Sequence, residues 1–262
     1  MPAPTEIEDP LQGVQAFLFD VFGTVVDWRR GVSEQLEAKL GALAPNEDRD
    51  AFAEEWRVQG YYKMTAAVAH GRPGSLNVDE IHRQFLDSML ASDRWKHLAP
   101  HLDDGGRHEL VLFWHRLPGW PDATPGLYGI KQHAIIGTLS NGSVRTLVDM
   151  AKHSDLPWDV VLCSELLGSY KPNPKVYLGA VQHLSLASPS QLCMVATHIY
   201  DLRAAASHGI RTVFVRRPRE PDSPSDVRGK AEGGEVDLVV DSFEEIACAL
   251  KARGTEKQVW QH

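Results

Sequence analysis

The first strong apolar run in the chain, residues 14–19, ends at a carboxylate, Asp20, and Gly23 and Thr24 follow within four residues. A short apolar run that ends at a turn signal is typical of a buried parallel strand. In open α/β sheets, reactive groups lie just beyond the carboxyl ends of such strands. The pattern therefore predicts a strand with Asp20 at its exit. Taken alone, Asp20 could equally be a turn residue that caps the next element.

The pattern changes to helical spacing in residues 31–117, where no convincing strand is found. Apolar side chains recur every three or four residues, as in Val32, Leu36 and Leu40, and the same spacing returns in residues 78–90. This periodicity is that of amphipathic helices. The sequence thus predicts a helical insert directly after the first strand.

After residue 118, apolar runs of strand length alternate with helical stretches. The later strands are predicted at residues 133–139, 160–163, 192–196, 212–215 and 236–240. Such alternation predicts a parallel sheet with helices on both faces. The predicted fold class is therefore α/β, with a doubly wound, Rossmann-like parallel-sheet core and an inserted helical subdomain.

The predicted division assigns residues 13–30 and 118–252 to the core and residues 31–117 to the helical subdomain. Residues 216–235 are rich in Pro, Gly and charged side chains, so a surface loop is predicted there. The chain before residue 13 and after Gly254 is predicted to form loose ends.

Composition narrows the classes of function. The formal net charge of the 262 residues is −8, which argues against nucleic acid or an anionic membrane as a partner. No apolar run approaches the roughly 20 residues of a membrane-spanning helix. The polar, acidic residues 1–10 do not resemble a signal peptide. Three widely spaced cysteines suit a reducing compartment, so a cytoplasmic protein is expected.

Four short motifs carry a resemblance to the haloacid dehalogenase superfamily, in which they occur in the same order. They are Asp-Val-Phe-Gly-Thr-Val (residues 20–25), Thr-Leu-Ser-Asn-Gly (138–142), Lys-Pro-Asn-Pro (171–174) and Met-Val-Ala-Thr-His-Ile-Tyr-Asp (194–201). Each motif is weak singly, but four in order are specific, and the resemblance covers nearly the whole chain after residue 13. It implies that Asp20 is the nucleophile and that the helical insert is a mobile cap.

The chemistry that this resemblance implies suits the residue types. A desolvated carboxylate aimed at carbon can displace a halide and form an ester, which water then hydrolyses at the Asp carbonyl. Lys171 would keep Asp20 ionised, although a Lys-Pro turn alone would be an ordinary surface feature. Ser140 and Asn141 can hold a substrate carboxylate, or they simply form a turn. Thr24 either hydrogen-bonds the nucleophile or only stabilises the Gly-Thr turn.

Phe22 separates two branches of the superfamily. In the phosphatase branches this position is usually an aspartate that protonates the leaving alkoxide, and Mg²⁺ neutralises the phosphate. A phenyl ring cannot donate a proton, whereas a halide leaves without a general acid. The sequence therefore resembles the metal-independent L-2-haloacid dehalogenases, which implies no cofactor and places Phe22 beside the substrate.

Two further residues match this branch. Arg57, in Glu-Trp-Arg-Val-Gln-Gly-Tyr-Tyr (residues 55–62), matches a cap-helix Arg that binds the halide, and a fixed guanidinium can stabilise the departing anion. The alternative is a solvent-facing Arg on an amphipathic helix. Tyr177, six residues after Lys171, matches a helper tyrosine of the branch, and its alternative is a helix tyrosine that packs under the sheet.

The fourth motif departs from the Ser-x-Asn-x-x-Asp of better-known dehalogenases. Asp201 matches, and it is expected to orient Lys171 or the hydrolytic water. Ala196 cannot supply the expected hydroxyl, and His198 replaces the amide. His198 either orients water or acts as a base for ester hydrolysis, or it only hydrogen-bonds in place of the Asn. The sequence leaves these roles open.

The predicted function is hydrolytic dehalogenation of short (S)-2-haloalkanoic acids to (R)-2-hydroxy acids through an ester on Asp20. The expected partners are a small halocarboxylate substrate and the halide product, and a homodimer is compatible with the resemblance. The alternatives are a Mg²⁺-dependent phosphomonoesterase of the same superfamily and a catalytically silent binding relative.

Overall fold

Six parallel strands form one sheet in the computed structural model, which describes residues 9–221 and 223–253. The strands are β1 (Ala16–Phe19), β2 (Ile135–Ser140), β3 (Val160–Cys163), β4 (Leu192–Ala196), β5 (Arg211–Val215) and β6 (Leu238–Val240). Their order is β3-β2-β1-β4-β5-β6, so β1 lies inside the sheet between β2 and β4. The predicted α/β fold class is confirmed.

Every regular element from residue 28 to residue 115 is helical in the described chain, and we call these residues the helical segment. Its α-helices are α1 (Trp28–Leu40), α2 (Arg49–Glu54), α3 (Tyr62–Ala69), α4 (Val78–Ala91) and α5 (Asp104–Val111). A π-helical turn, Glu55–Tyr61, joins α2 to α3, and 3₁₀-helices cover Lys96–His101 and Leu112–His115.

The remaining helices alternate with the strands. They are α6 (Ala123–Lys131), α7 (Val144–His153), α8 (Ser164–Leu167), α9 (Pro174–His183), α10 (Ile199–Ala206) and α11 (Phe243–Arg253), with 3₁₀ turns at Pro189–Gln191 and Lys230–Glu232. Each helix among the described residues is too short or too polar to cross a membrane.

The alternation of side chains along β1 builds the core on both faces of the sheet. Phe17 and Phe19 belong to a buried cluster that includes residues of α6, α7, α11 and the helical segment. Ala16 and Leu18 belong to a second cluster with residues of α9 and α10. Burying one such aromatic side chain stabilises the fold by about 1.5–3 kcal/mol. This double burial is the physical reason for the uninterrupted apolar run in the sequence.

The register of the sheet brings the ends of its strands to one edge. Phe19, the last residue of β1, pairs with Thr138 of β2 and with Val195 of β4. The ladder continues one residue further, because the Asp20 N–H donates to the Val195 carbonyl at 3.0 Å. The residues that follow β1, β2 and β4 are therefore neighbours.

The structure differs from the sequence-based expectations at several boundaries. Helix α1 begins at Trp28, three residues before the predicted insert, because the Asp27 side chain accepts a hydrogen bond from the Arg30 N–H at 3.1 Å and caps the helix there. The predicted loose leader includes Leu11, whose exposed fraction is 1%. Residues 1–8 and 254–262, which include the predicted loose tail after Gly254, lie outside the described residues.

The largest difference concerns the loop after β5. Residues 216–235 were expected to form a surface loop, yet the side chains of Arg217 and Glu220 are buried. Arg217 donates to the Thr24 carbonyl at 2.9 Å and makes two hydrogen bonds to the Asp122 carboxylate. Composition describes the loop as a whole and is insensitive to single side chains that turn inward.

Candidate active site

Asp20 lies at the end of β1 with three hydrogen-bond donors on its carboxylate. Its Oδ1 accepts from Lys171 Nζ at 3.1 Å, and its Oδ2 accepts from Thr24 Oγ1 at 2.9 Å and lies 3.0 Å from His198 Nδ1. Burial alone would raise the pKa of Asp20, but the charge of Lys171 and the hydrogen bonds from His198 and Thr24 outweigh burial and hold that pKa well below its ordinary value. Asp20 is therefore an ionised carboxylate with an exposed fraction of only 8%.

Lys171 is a buried cation shared by two carboxylates. Its Nζ donates to Asp20 and also to Asp201 Oδ2. Burial alone would lower the pKa of Lys171, but Asp20 and Asp201 together raise it, so the ammonium group keeps its charge. The predicted partnership of Lys171 with Asp20 is thus present as a direct ion pair.

Asn141 holds the backbone of Lys171. Its Oδ1 accepts from the Lys171 N–H at 2.8 Å and from Ser164 Oγ at 2.9 Å, and its Nδ2 donates to the Lys171 carbonyl at 3.3 Å. Ser140 Oγ accepts from the Gly142 N–H at 3.1 Å. Both predicted substrate-binding side chains therefore help to fix the turn and Lys171, while the Ser140 hydroxyl hydrogen and the second hydrogen of Asn141 Nδ2 take no part in these bonds.

Asp201 and Tyr177 form a buried pair behind Lys171. The Tyr177 hydroxyl donates to Asp201 Oδ1 at 2.5 Å. Burial raises the pKa of Tyr177 well above its ordinary value, so the phenol stays protonated and can only donate to a carboxylate. The structure thus places Tyr177 on Asp201, where it orients the carboxylate that in turn holds Lys171.

Arg57 enters the site from the helical segment, with an exposed fraction of 2%. Its Nη2 donates to the Phe22 carbonyl at 3.2 Å and to the Tyr62 hydroxyl at 2.8 Å. The guanidinium carbon lies 4.8 Å from the ring centre of Trp28 and 5.3 Å from that of Phe22. Arg57 Nε has no hydrogen-bond partner within the described chain. Arg57 is therefore a buried cation beside the nucleophile turn rather than a solvent-facing residue.

The π-helical turn explains how Arg57 and Tyr62, five residues apart, face the same side. In a π-helix, hydrogen bonds join residues five apart, and the Tyr62 N–H donates to the Arg57 carbonyl in this way. The same spacing brings the Tyr62 hydroxyl onto the guanidinium of Arg57. The neighbouring Tyr61 hydroxyl donates to the Asn141 carbonyl at 2.6 Å. Gly60 lets the turn pack closely, because a Cβ there would lie 2.2 Å from the Phe85 ring.

Sequence reasoning found Arg57 but not Tyr61 or Tyr62. The aromatic pair was visible in the sequence, yet an α-helical projection puts residues 57 and 62 on different faces. The π-turn is what brings Tyr62 onto Arg57, and no pattern in the sequence predicts such a turn.

His198 lies between two carboxylates. Its Nδ1 faces Asp20, and its Nε2 lies 3.4 Å from Oε2 of Glu220. Burial alone would lower the pKa of His198, but Asp20 and Glu220 raise it to about 9. The imidazole is therefore charged at neutral pH. Sequence reasoning missed Glu220, because a single Glu in a loop rich in Pro, Gly and charge gives no signal.

The structure brings the predicted catalytic residues together at the carboxyl ends of the strands. Thr24, Lys171 and His198 contact Asp20 directly, and Asp201 reaches it through Lys171. Phe22 lies over the site with its ring 5.3 Å from Arg57. No group of three or more His, Cys, Asp or Glu side chains suited to a metal ion occurs within residues 9–221 and 223–253. The arrangement provides an ionised nucleophile and cations placed for anions.

Known proteins with similar sequences or structures share one family description. The family model of haloacid dehalogenase-like hydrolases matches residues 14–209. The crystal structure of the defluorinating L-2-haloacid dehalogenase Rha0230 is 38% identical, with a TM-score of 0.79 over 91% of this chain and 95% of that chain. The (S)-2-haloacid dehalogenase 4A of Burkholderia cepacia is 28% identical over 220 residues, which cover 80% of this chain and 87% of that protein.

A relative with a different described activity is also similar. The phosphatase MT3486 of Mycobacterium tuberculosis is 32% identical over 154 residues, which cover 55% of this chain and 70% of that protein. The comparisons thus include proteins described as dehalogenases and one described as a phosphatase.

Proposed function

This chain belongs to the haloacid dehalogenase-like hydrolases, and we propose that it hydrolyses short (S)-2-haloalkanoic acids to (R)-2-hydroxy acids. The observation that carries the proposal is the pairing of an ionised, buried Asp20 with a phenyl ring at position 22 and a buried Arg57 above it. Asp20 provides a nucleophile, Arg57 provides a site for an anion, and position 22 carries no acidic side chain. The relatives described as 2-haloacid dehalogenases support the same substrate class.

In the first step, Asp20 Oδ1 attacks C2 of the substrate. Oδ1 accepts one hydrogen bond within the described residues, whereas Oδ2 has two polar neighbours, so Oδ1 has the freer lone pair. A C–O bond forms as the C–X bond breaks, and the bonding pair leaves with the halide. Attack from the side opposite the halide inverts C2. The Arg57 guanidinium stabilises the departing anion, for which a fixed cation in a dry site is effective.

In the second step, water attacks Cγ of Asp20. The Cγ–Oδ1 bond breaks, so Oδ1 leaves as the product hydroxyl and the configuration of C2 is kept. Lys171 Nζ, which lies on Oδ1, donates a proton to the departing oxygen. Of the two protons of the water, one replaces that proton on Lys171 and the other reaches solvent when Asp20 ionises again.

The donor set around Asp20 does not fit Mg²⁺. The groups nearest to its carboxylate are the ammonium of Lys171, the imidazole of His198 and the hydroxyl of Thr24. A hard divalent cation needs several oxygen ligands, and a neighbouring ammonium and imidazolium repel it. The proposed reaction therefore involves no metal ion.

The helical segment acts as the cap in this proposal, because Arg57 and Tyr61 reach the site from it. A phosphomonoesterase is the second candidate, and the relative described as a phosphatase favours it. The cytoplasmic location and the homodimer stay predictions.

One paired assay separates the two candidates. Halide release is measured with each enantiomer of 2-chloropropionate in EDTA, and hydrolysis of p-nitrophenyl phosphate is measured with Mg²⁺. The dehalogenase predicts halide from the S enantiomer and (R)-lactate as product in EDTA. Mg²⁺-dependent phosphate release without halide would replace the proposal by the phosphatase, and binding of haloacids without turnover would favour a silent relative.

A further inference from the structure

Glu220 is a buried carboxylate in a loop that is otherwise largely exposed, and no motif includes it. Arg217 fixes the start of this loop to the Thr24 carbonyl and to Asp122. Three residues later, Glu220 points back into the catalytic turn. Its carboxylate occupies the space beside Gly23, where a Cβ would lie 2.3 Å from Oε2. Gly23 has φ +86°, so both its backbone and its missing side chain make room for this carboxylate.

The partner of Glu220 in this position is His198. Glu220 Oε2 and His198 Nε2 lie 3.4 Å apart, and neither atom has a hydrogen-bond partner within the described chain. Burying a charged carboxylate is costly unless it is paired. The imidazolium is the cation next to this oxygen, so the pair with His198 offsets part of the cost of burying Glu220.

Thr24 and His198 meet on the same oxygen of Asp20. Thr24 Oγ1 is fixed as a donor to Oδ2, because it accepts the Thr197 N–H at 3.0 Å. His198 Nδ1 lies 3.0 Å from the same oxygen. If Oδ1 attacks the substrate, Oδ2 becomes the carbonyl oxygen of the ester. That oxygen takes the negative charge when water adds to Cγ, and two donors already face it.

Resting on the proposed function, we propose that Glu220 is a positioning residue for ester hydrolysis: it holds His198 so that Nδ1–H and the Thr24 hydroxyl form an oxyanion hole on Asp20 Oδ2. No proton leaves His198 in this role. The ring donates a hydrogen bond to the developing oxyanion, and Glu220 keeps the ring oriented and charged after esterification has removed the charge of Asp20.

The surroundings of His198 are consistent with a charged ring. Asp20 and Glu220 face its two nitrogens, and the Tyr200 ring lies 5.8 Å from the imidazole centre. The nearby cations are Lys171, on the other oxygen of Asp20, and Arg57, which interacts with Glu220. Once Asp20 is an ester, Glu220 is the carboxylate left in contact with the ring.

The test compares Glu220→Gln with Glu235→Gln, a matched change in the same loop that removes a surface ion pair with Arg203. In the Glu220→Gln variant we expect the first turnover of halide release to stay within about threefold of the unchanged protein. Ester hydrolysis should slow at least about tenfold, since a direct oxyanion donor is worth about 10²–10³-fold. The covalent ester should therefore accumulate in the protein mass spectrum, and Glu235→Gln should behave as the unchanged protein does.

A second readout needs no turnover. The ring of His198, assigned by its loss in His198→Gln, is titrated by ¹⁵N NMR in the resting proteins. Glu220→Gln should move its titration at least about one pH unit lower, and Glu235→Gln should leave it in place. In a His198→Gln background, Glu220→Gln should add less than about twofold to the loss of ester hydrolysis, because the residues act as a unit.

An unchanged His198 titration in Glu220→Gln overturns the inference, even if no haloacid is turned over. An unchanged rate of ester hydrolysis overturns it as well. Absence of halide release from the unchanged protein, with the titration shifted as expected, contradicts the proposed function but keeps the Glu220–His198 contact. If Glu220→Gln does not fold, Glu220→Asp serves both readouts. The shorter carboxylate should then slow ester hydrolysis and lower the His198 titration, each by less than is expected for Glu220→Gln.

Discussion

The two walls of the site are built on different physical principles. One, the strand wall, consists of Asp20, Thr24, Lys171, His198 and Asp201, which follow the carboxyl ends of the strands. The other, the helical wall, consists of Arg57, Tyr61 and Tyr62 on and next to the π-turn. Charged hydrogen bonds between side chains fix the strand wall. Stacked rings and bonds from side chains to backbone carbonyls fix much of the helical wall.

This difference indicates how each wall should respond to substitutions. Charges in the strand wall neutralise one another, so changing one member leaves another buried and unpaired. The helical wall contributes one cation, and its tyrosines make bonds of ordinary strength. Changes in the strand wall should therefore be severe in both activity and stability, and changes in the helical wall should be graded.

The largest effect is expected for the nucleophile. Asp20→Asn removes the attacking carboxylate and should lower halide release by about 10⁴–10⁶-fold, as loss of a nucleophile does elsewhere. The measurement is steady-state halide release from (S)-2-chloropropionate. Asp93→Asn, a change at an exposed surface carboxylate, should keep full activity. Residual activity above about one per cent in Asp20→Asn would point to another nucleophile.

Lys171→Met tests the charge balance of the strand wall through stability. It leaves Asp20 and Asp201 buried without their cation and should lower the free energy of unfolding by about 3–5 kcal/mol at pH 8. Lys171 holds the pKa of Asp20 well below its usual range, so Asp20 stays ionised between pH 8 and pH 4 in the unchanged protein. In the variant, burial without this cation should raise the folded pKa of Asp20 above its unfolded value near 4, so the cost of burying the charged carboxylate falls as Asp20 becomes protonated at lower pH. The deficit of the variant should therefore narrow as the pH is lowered toward 4.

Urea unfolding at pH 8 and at pH 4.5 measures this deficit. Lys131→Met, which breaks an ion pair with Asp159 in which both side chains are about a third exposed, should cost less than about 1 kcal/mol at either pH. Equal stability of Lys171→Met and the unchanged protein at pH 8 would contradict the charge balance.

Arg57→Lys tests the cation of the helical wall. An ammonium keeps the charge but cannot reproduce the planar contacts with Trp28 and Phe22, so kcat/KM for dehalogenation should fall by about 10–100-fold. The control is Arg94→Lys, since Arg94 also lies over a tryptophan, Trp95, at 4.5 Å but pairs with Glu55 away from the site. Equal losses in both variants would assign the effect to folding of the helical segment.

Tyr61→Phe should have the smallest effect. It removes the hydrogen bond from the helical wall to the Asn141 carbonyl, worth about 0.5–1.5 kcal/mol, and should raise KM for the haloacid by about two- to tenfold. Tyr128→Phe, which removes an exposed hydroxyl bound to Asp155, is the matched control. A loss above about a hundredfold would mean that the Tyr61 hydroxyl contacts the reacting groups.

The strand wall could be predicted almost completely from the sequence, whereas only Arg57 of the helical wall could. Asp20 and His198 follow buried strands, and an apolar run that ends in a polar residue is a local signal. Tyr62 shares a face with Arg57 because of the π-turn, and periodicity assumes an α-helix. Tyr61, four residues after Arg57, would face the same side in an α-helix as well, but no motif marks it. Glu220 depends on a tertiary contact with Gly23 across nearly two hundred residues of chain, which no local pattern encodes.

The location of Asp20 at the end of an inner strand has a consequence for hydrogen exchange. The amide of Asp20 is bonded to the Val195 carbonyl, and β1 is paired on both sides, so these amides exchange with deuterium only when the sheet itself opens. The amides of the helical segment are not part of the sheet's hydrogen-bond ladder, so they can exchange through local openings. The amide of the nucleophile is therefore expected to exchange as slowly as the core of the sheet, and the amides of the opposite wall are expected to exchange faster.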